Sequence, residues 1–330
     1  MAIQWYPGHM HKAQKEIKEV LPSVDLLIEV LDARIPYSSE NPAIAQLRGD
    51  KPCIKVLSKT DLADPELTSQ WQAYLEQEKG VKTFPTTTEQ PAKIKQIVDL
   101  CRKMLPEKDA SIKSINTMIV GIPNVGKSTL INTLADRIIA QTGNVPAVTK
   151  SQQRINIGSG IVLFDTPGIL WPKIENPNSS YRLAASGAIK DTAMDYEDVG
   201  FYAADYLIKA YPELMKERFS LDYIPETEIE FLEAAAGKRG ALRAGGRVNL
   251  HKICEVLINE LRSGKLGRIT LETPAMVEQE KREVADAHAA KEAEKEQRKQ
   301  RFREGSETPT KRDLKEDKPR SSSNRKKRRR

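Results

Sequence analysis

Cysteine is scarce in this chain, and the three present do not cluster. Cys53, Cys101 and Cys254 stand far apart in 330 residues, with no partner at metal-ligand spacing. That excludes a disulfide scaffold and a zinc module, and leaves reduced, packed thiols of the kind found in cytosolic proteins. Long apolar runs are missing as well. No stretch approaches the roughly 18 residues of a membrane span, so no membrane role is expected. The opening segment MAIQWYPGHMHKAQ has no apolar run behind a basic cluster, so it does not read as a secretory signal.

Unbalanced charge is absent from most of the chain. The net charge is +7, and residues 275–330 alone hold 19 Lys+Arg against 12 Asp+Glu. That excess equals the total, so everything before residue 275 is neutral. Electrostatic arguments about partners must start from the tail or from local patches.

Apolar runs of strand length recur at 26–31 (LLIEVL), 53–57 (CIKVL), 81–84, 115–120, 154–157 and 161–164. Helical patterns lie between them, at 12–21, 66–77, 92–104 and 128–134. Strands alternating with helices predict an α/β fold, a mostly parallel sheet covered on both faces. After Trp171-Pro172 the pattern is helical to about residue 265, and Leu250, Ile253, Cys254, Leu257 and Leu261 share one helix face. Residues 275–303 are rich in Ala, Glu, Lys and Arg without an apolar stripe. They suit a solvated helix or charged tail that holds no core. Residues 304–330, ending in RKKRRR, lack core-forming side chains and read as disordered. The domain division expected is 1–175, 176–274 and 275–330.

The segment Gly121-Ile122-Pro123-Asn124-Val125-Gly126-Lys127-Ser128 fits G-x-x-x-x-G-K-[ST], after a strand and before a helix. Such a loop wraps phosphates with backbone N–H groups, and the helix N-terminus adds its dipole. Lys127 is expected at the outer phosphates, Ser128 on Mg²⁺, and Val125, Gly126 and Thr129 around them. Asp165-Thr166-Pro167-Gly168 ends another strand. Asp165 can hold Mg²⁺ through water, and Gly168 can bring its N–H to the terminal phosphate, a contact that hydrolysis removes. Thr149, in the polar loop between, is the second candidate for a switch contact to Mg²⁺.

Ser58-Lys59-Thr60-Asp61 follows a strand and resembles the N-K-x-D guanine motif of translation-factor-like GTPases. There the Asp accepts from guanine N1–H and the amino group, and the Lys stem covers the base. Ser58 replaces the usual Asn. A hydroxyl donates one hydrogen bond and cannot bridge as an amide does. Thr86 and Thr87, with Thr88, follow the next strand where a loop near the base is expected. The base-reading segment precedes both phosphate segments, the reverse of the ordinary order. The chain therefore looks like a circularly permuted P-loop GTPase domain followed by a small helical domain and a basic tail.

Trp5-Tyr6-Pro7-Gly8-His9-Met10, Asp32-Ala33-Arg34-Ile35-Pro36, the 121–128 loop and Asp165-Thr166-Pro167-Gly168-Ile169 together resemble the RbgA/YlqF family. So do Gly237–Gly240, Gly245-Gly246 and Lys265-Leu266-Gly267-Arg268. The resemblance covers about residues 3–274. It implies a monomeric cytoplasmic GTPase, binding GTP and GDP, that acts on the large ribosomal subunit precursor and its rRNA. Ile169 stands where many GTPases carry a water-orienting Gln, and the family match implies that His9 takes part in hydrolysis instead. Asn124 matches a pattern of potassium-stimulated GTPases, which makes K⁺ a candidate beside Mg²⁺. Lys238, Arg239, Arg243, Arg247 and Lys252 form a run without acidic residues, suited to the phosphates of structured RNA. Two other readings compete: a nucleotide-gated rRNA-binding module in which hydrolysis is incidental, and a P-loop kinase.

Overall fold

The structure, a computed structural model, describes residues 6–108, 113–140 and 153–303, the side chains of His9, Phe302 and Arg303 excepted. The first half runs α1 (Gly8–Val20), β1 (Leu26–Asp32), α2 (Pro42–Arg48), β2 (Cys53–Ser58), α3 (Pro65–Leu75), β3 (Val81–Pro85), α4 (Pro91–Lys95), α5 (Ile97–Met104), β4 (Ile115–Val120), α6 (Lys127–Ala135), β5 (Gln153–Asn156) and β6 (Ile161–Asp165). The second half is helical: α7 (Pro177–Ser186), α8 (Tyr196–Ala210), α9 (Pro212–Phe219), α10 (Glu228–Arg239), α11 (Leu250–Arg262) and α12 (Pro274–Arg303).

The six strands form one sheet in the order β3-β2-β1-β4-β6-β5, and only β5 is antiparallel to its neighbour. Each expected strand is present. β1 and β2 are buried along their whole length, as strands covered on both faces must be. The five parallel strands all end at the same edge of the sheet. The loops after β1, β2, β3, β4 and β6 therefore share that edge, whatever their order along the chain.

The sequence pattern misses some local detail. α2 is seven residues long, too short to show a helical period, and is marked only by Asn41, whose side chain accepts from Ala43 N–H. The single helix expected over 92–104 is two, broken at Gln96. The segment 275–303 is helical as part of α12, and every described side chain from 291 to 301 is exposed. The described residues up to Glu278 form one compact unit and those from Gln279 to Arg303 another. Among the described residues no helix is long and apolar enough to cross a membrane. All three cysteines are free and buried.

Helices α7, α8, α10 and α11 bury Leu183, Leu207, Phe231, Leu257 and their neighbours into the same apolar core as the sheet. The chain then returns to the sheet edge through residues 264–273. Leu271 N–H donates to Arg34 O at 2.8 Å, and Trp71 Nε1–H to Glu272 O at 3.0 Å. The Glu272 carboxylate is fully buried. It accepts from the backbone N–H groups of Tyr37 and Ser38 and from Arg182 Nη1 at 3.3 Å. Several donors around one buried anion are what make its burial tolerable.

A second buried charge cluster sits inside the sheet. Lys55 Nζ reaches Glu40 at 2.8 Å and Glu78 at 3.2 Å, Arg48 pairs with Glu78, and Asn41 N–H donates to Glu29. Burial, and then the charge of Glu40, push the Glu29 carboxyl up to about 8, with Lys55 opposing. The folded chain thus keeps this proton up to about pH 8, whereas an unfolded glutamate releases it near pH ~4.3. Stability from this group therefore falls as pH rises through that interval. Glu29→Gln is expected to shrink the drop in melting temperature between pH 5 and pH 8; an undiminished drop in thermal melts would refute the assignment.

Candidate functional site

A cavity of about 960 Å³ opens at the shared edge of the parallel strands. Ser58, Lys59, Asp61 and Leu62 line one part. Thr86, Thr87 and Thr88 adjoin them, and residues 123–130 with Gly168 line a further part. The three segments singled out in the sequence thus meet around one space, although 58–61, 121–128 and 165–168 are far apart in the chain. Thr60 and Asp165 are not in the wall. His9 belongs to the first turn of α1, but its side chain lies outside the described residues, as does Thr149 entirely.

The phosphate-loop segment turns through positive φ at Asn124 (59°) and Gly126 (96°), the kind of backbone reversal that makes an anion-binding concavity. Helix α6 begins at Lys127 with no side chain capping its first turn. Its leading N–H groups are thus left for a ligand, reinforced by the helix dipole. Lys127 is buried, and its ammonium donates to the carbonyls of its own loop, Gly121 O at 3.1 Å and Ile122 O at 3.0 Å. Burial lowers its pKa to about 8, with Asp165 opposing. Burial also raises Asp165 to about 6, with Lys127 opposing. Asp165 Oδ2 is buried without a hydrogen-bond partner. Burial strips solvent from both groups: the lysine suits an entering polyphosphate, and the orphan carboxylate oxygen suits a cation or its water.

Gly168 sits against the loop. A Cβ there would lie 2.9 Å from Pro123 Cα and 3.0 Å from Lys127 Nζ, so only glycine lets the two segments approach this closely. Ile169 donates its N–H to Gly121 O at 3.3 Å and is buried, so its side chain has no route to a water in the cavity. Leu170 N–H approaches Met10 Sδ at 3.5 Å. That contact holds the start of α1, the helix bearing His9, beside the 165–170 segment.

In the loop after β2, Lys59 takes a left-handed backbone, φ 57°. Its ammonium donates to Asp32 Oδ2 at 2.8 Å. Arg34 grips the same carboxylate at both oxygens, 2.9 and 2.7 Å. Burial alone would raise Asp32, but Arg34 and Lys59 outweigh it and hold the carboxyl well below its usual range. Ser58 Oγ lies between two carbonyls, Leu31 O at 2.8 Å and Val125 O at 2.6 Å. The short hydroxyl does reach the phosphate loop, but with one proton for two acceptors.

Sequence reasoning missed the helical wall. Ser186, Gly187, Ile189, Lys190, Asp191, Thr192, Asn259, Arg262 and Ser263 also line the cavity. Asn124 Nδ2 donates to Gly187 O at 2.9 Å, and Arg34 to the carbonyls of Ser186 and Arg262. Arg262 holds Ala184 O, Ala185 O and the Asp191 carboxylate. Nothing in the spacing links residues 60 to 230 positions apart; the Asp32–Pro36 motif was the one available hint, and it came without a role.

The five basic residues expected to meet RNA are all exposed. Arg243 and Arg247 sit on a small hairpin between α10 and α11, closed by Arg243 N–H to Arg247 O at 2.7 Å. Arg239 is drawn onto the Phe219 ring and toward Glu260. Lys252 pairs with Glu255 at 2.9 Å. Folding therefore supplies acidic neighbours that the local run lacks.

Residues 116–216 match a protein-family model described as 50S ribosome-binding GTPase. The ribosome biogenesis GTPase A of Bacillus cereus is 46% identical over 281 residues, covering 83% of this chain and 95% of that one. That of Priestia megaterium is 44% identical over 287 residues, covering 84% and 99%. Among solved structures, GNP-bound YlqF from Thermotoga maritima superposes with a TM-score of 0.55 at 27% identity, covering 80% of this chain and 98% of that one.

Lys127→Ala is expected to weaken guanine-nucleotide binding by at least about 100-fold, the scale of a lost charge-assisted contact to phosphate. Fluorescent GDP titration measures it, and unchanged affinity would disqualify this cavity.

Proposed function

This chain belongs to the ribosome biogenesis GTPase A family, and on that premise we propose that it hydrolyses GTP during late assembly of the large ribosomal subunit. The observation that carries the site assignment is that Ser58, Lys59, Asp61, residues 123–128 and Gly168 line one cavity of about 960 Å³. A guanine nucleotide lies there with its base at Asp61, under the Lys59 stem and beside Thr86 and Thr87. Its phosphates lie in the 121–128 loop. Lys127 leaves the two carbonyls it now serves and meets the outer phosphates, whose negative charge favours its protonated form. Gly168 reports the terminal phosphate through its backbone N–H, an interaction present in GTP and lost in GDP.

The donors fit Mg²⁺: the unpartnered Oδ2 of Asp165 and the Ser128 hydroxyl in the cavity wall would hold it, with Thr149 as third donor. Bound there, Mg²⁺ neutralises charge on the outer phosphates. A K⁺ held by Asn124 would share that residue with its contact to Gly187. Since Ile169 is buried, the attacking water needs another partner. His9, on the helix that Met10 pins to Leu170, is the group we assign to orient it. Lys238, Arg243 and Arg247, exposed around the α10–α11 hairpin, form the face for rRNA, joined by Arg239 and Lys252 at its margins.

Phosphoryl transfer depends on positioning, so the free protein is expected to turn over slowly, about 10⁻⁴ to 10⁻² per second. Large ribosomal subunits should accelerate it. His9→Ala should lower the accelerated rate by about 100-fold or more, with GDP affinity unchanged. Single-turnover assays with and without subunits decide. Equal rates in both conditions would favour an rRNA-binding module in which hydrolysis is incidental.

A further inference from the structure

The guanine-reading loop does not hold itself. Its internal tie is Leu62 N–H to Lys59 O at 3.0 Å, and its tie to the neighbouring loop is Thr60 N–H to Thr86 O at 3.3 Å. Four more backbone groups flanking Asp61 are taken by three consecutive residues from the far end of the helical region. Arg268 donates through Nη2 to Thr60 O at 3.0 Å and through Nε to Ala63 O at 2.9 Å. Ile269 N–H donates to Leu62 O at 2.9 Å. Thr270 Oγ1 accepts from Asp64 N–H at 3.1 Å.

The strap that carries these residues runs hard against the loop. Gly264 has φ 74°, and a Cβ there would come within 2.6 Å of Leu62 Cδ2. Tyr211 reinforces the far side, accepting from Thr270 N–H at 3.1 Å and lying 3.2 Å from Asp64 Oδ2. One guanidinium thus spans the two carbonyls on either side of Asp61 and Leu62. The planar fork of arginine suits this, and a lysine ammonium cannot reproduce it.

We propose that Arg268 is a positioning residue for base recognition: it clamps the Thr60–Ala63 backbone so that the Asp61 carboxylate is already aimed when the nucleotide arrives. This rests on the reading of Asp61 as the guanine acceptor. A loop freed of the clamp must order itself on binding, and the entropy of fixing even one or two residues is comparable to the hydrogen bonds Asp61 supplies. The loss should fall on the contacts that need the carboxylate in place, hence on base discrimination more than on phosphate binding.

The test titrates the full chain with GDP, IDP and XDP. Inosine lacks the amino group that guanine offers Asp61, while ribose and phosphates are the same. Arg268→Gln should weaken GDP about tenfold, a modest value because the bond to Thr60 is solvent-exposed, and should reduce the GDP:IDP preference at least about threefold. Arg268→Lys, which keeps the charge without the fork, should shift the ratio in the same direction. General damage to the fold or to the phosphate loop would weaken both ligands together and leave the ratio alone. A ratio unchanged in both variants overturns the proposal. Asp61→Asn separates the two levels, because its amide matches the xanthine carbonyl and should move preference from GDP to XDP. If it does so while the Arg268 variants keep the wild-type ratio, the clamp is wrong and the base reading stands. If Asp61→Asn produces no such switch, the base reading fails and the clamp with it.

Discussion

Five parallel strands ending along one edge are the constraint on which the rest of this molecule depends. β1, β2, β3, β4 and β6 all deliver their following loops to that edge. A parallel sheet needs helical crossovers and a core on both faces, which the apolar strands provide. Once that sheet exists, the order of loops along the chain is irrelevant to where they meet. Ser58, Lys59 and Asp61 can precede the 121–128 loop in sequence and still share its cavity. The permutation changes which segments are joined covalently, and so which movements can be transmitted; it leaves the pocket intact.

The joining has a consequence here. The helical region leaves the sheet directly after the 165–168 segment, which suggests a domain swung by loss of the terminal phosphate. It is also fastened elsewhere. Asn124 ties the phosphate loop to Gly187, Arg34 ties Asp32 to the ends of α7 and α11, and residues 264–273 return to the edge at Arg34, Leu62 and Trp71. The buried Glu272 carboxylate, shared by the Tyr37–Ser38 backbone and Arg182, makes that return costly to undo. A rigid swing would have to break these contacts at once. Small shifts passed through the cavity wall ask for less, since residues of α7, α11 and the loop after α7 already form part of it.

What the sequence makes legible follows from the range of each interaction. Strands appear as apolar runs because burial on both faces demands it, and the 121–128 loop is legible because its glycines answer a local backbone need. The Glu29–Lys55–Glu40 cluster is not, since a charged residue in a strand ordinarily reads as a solvent-facing position and here is buried with partners from other elements. α2 is hidden by its length. The wall formed by Ser186–Thr192 and Asn259–Ser263 is hidden by distance: its contacts exist only after the helical region folds back. The Lys265–Arg268 motif was visible as a pattern, but its partners are backbone carbonyls, which any sequence would offer.

Ser58 departs from the Asn of the ordinary motif. An Asn at that position has two amide protons and could satisfy both the β1 carbonyl and the phosphate loop; the serine hydroxyl has one proton between Leu31 O and Val125 O. The Ser58 hydroxyl can therefore hold only one of the two at a time. Lys59 compensates on one side by joining the buried Asp32–Arg34 pair. On the other side the returning strap takes the carbonyls of Thr60, Leu62 and Ala63. A weaker tether at one residue is balanced by tethers from two distant segments, both of which belong to, or contact, the helical region.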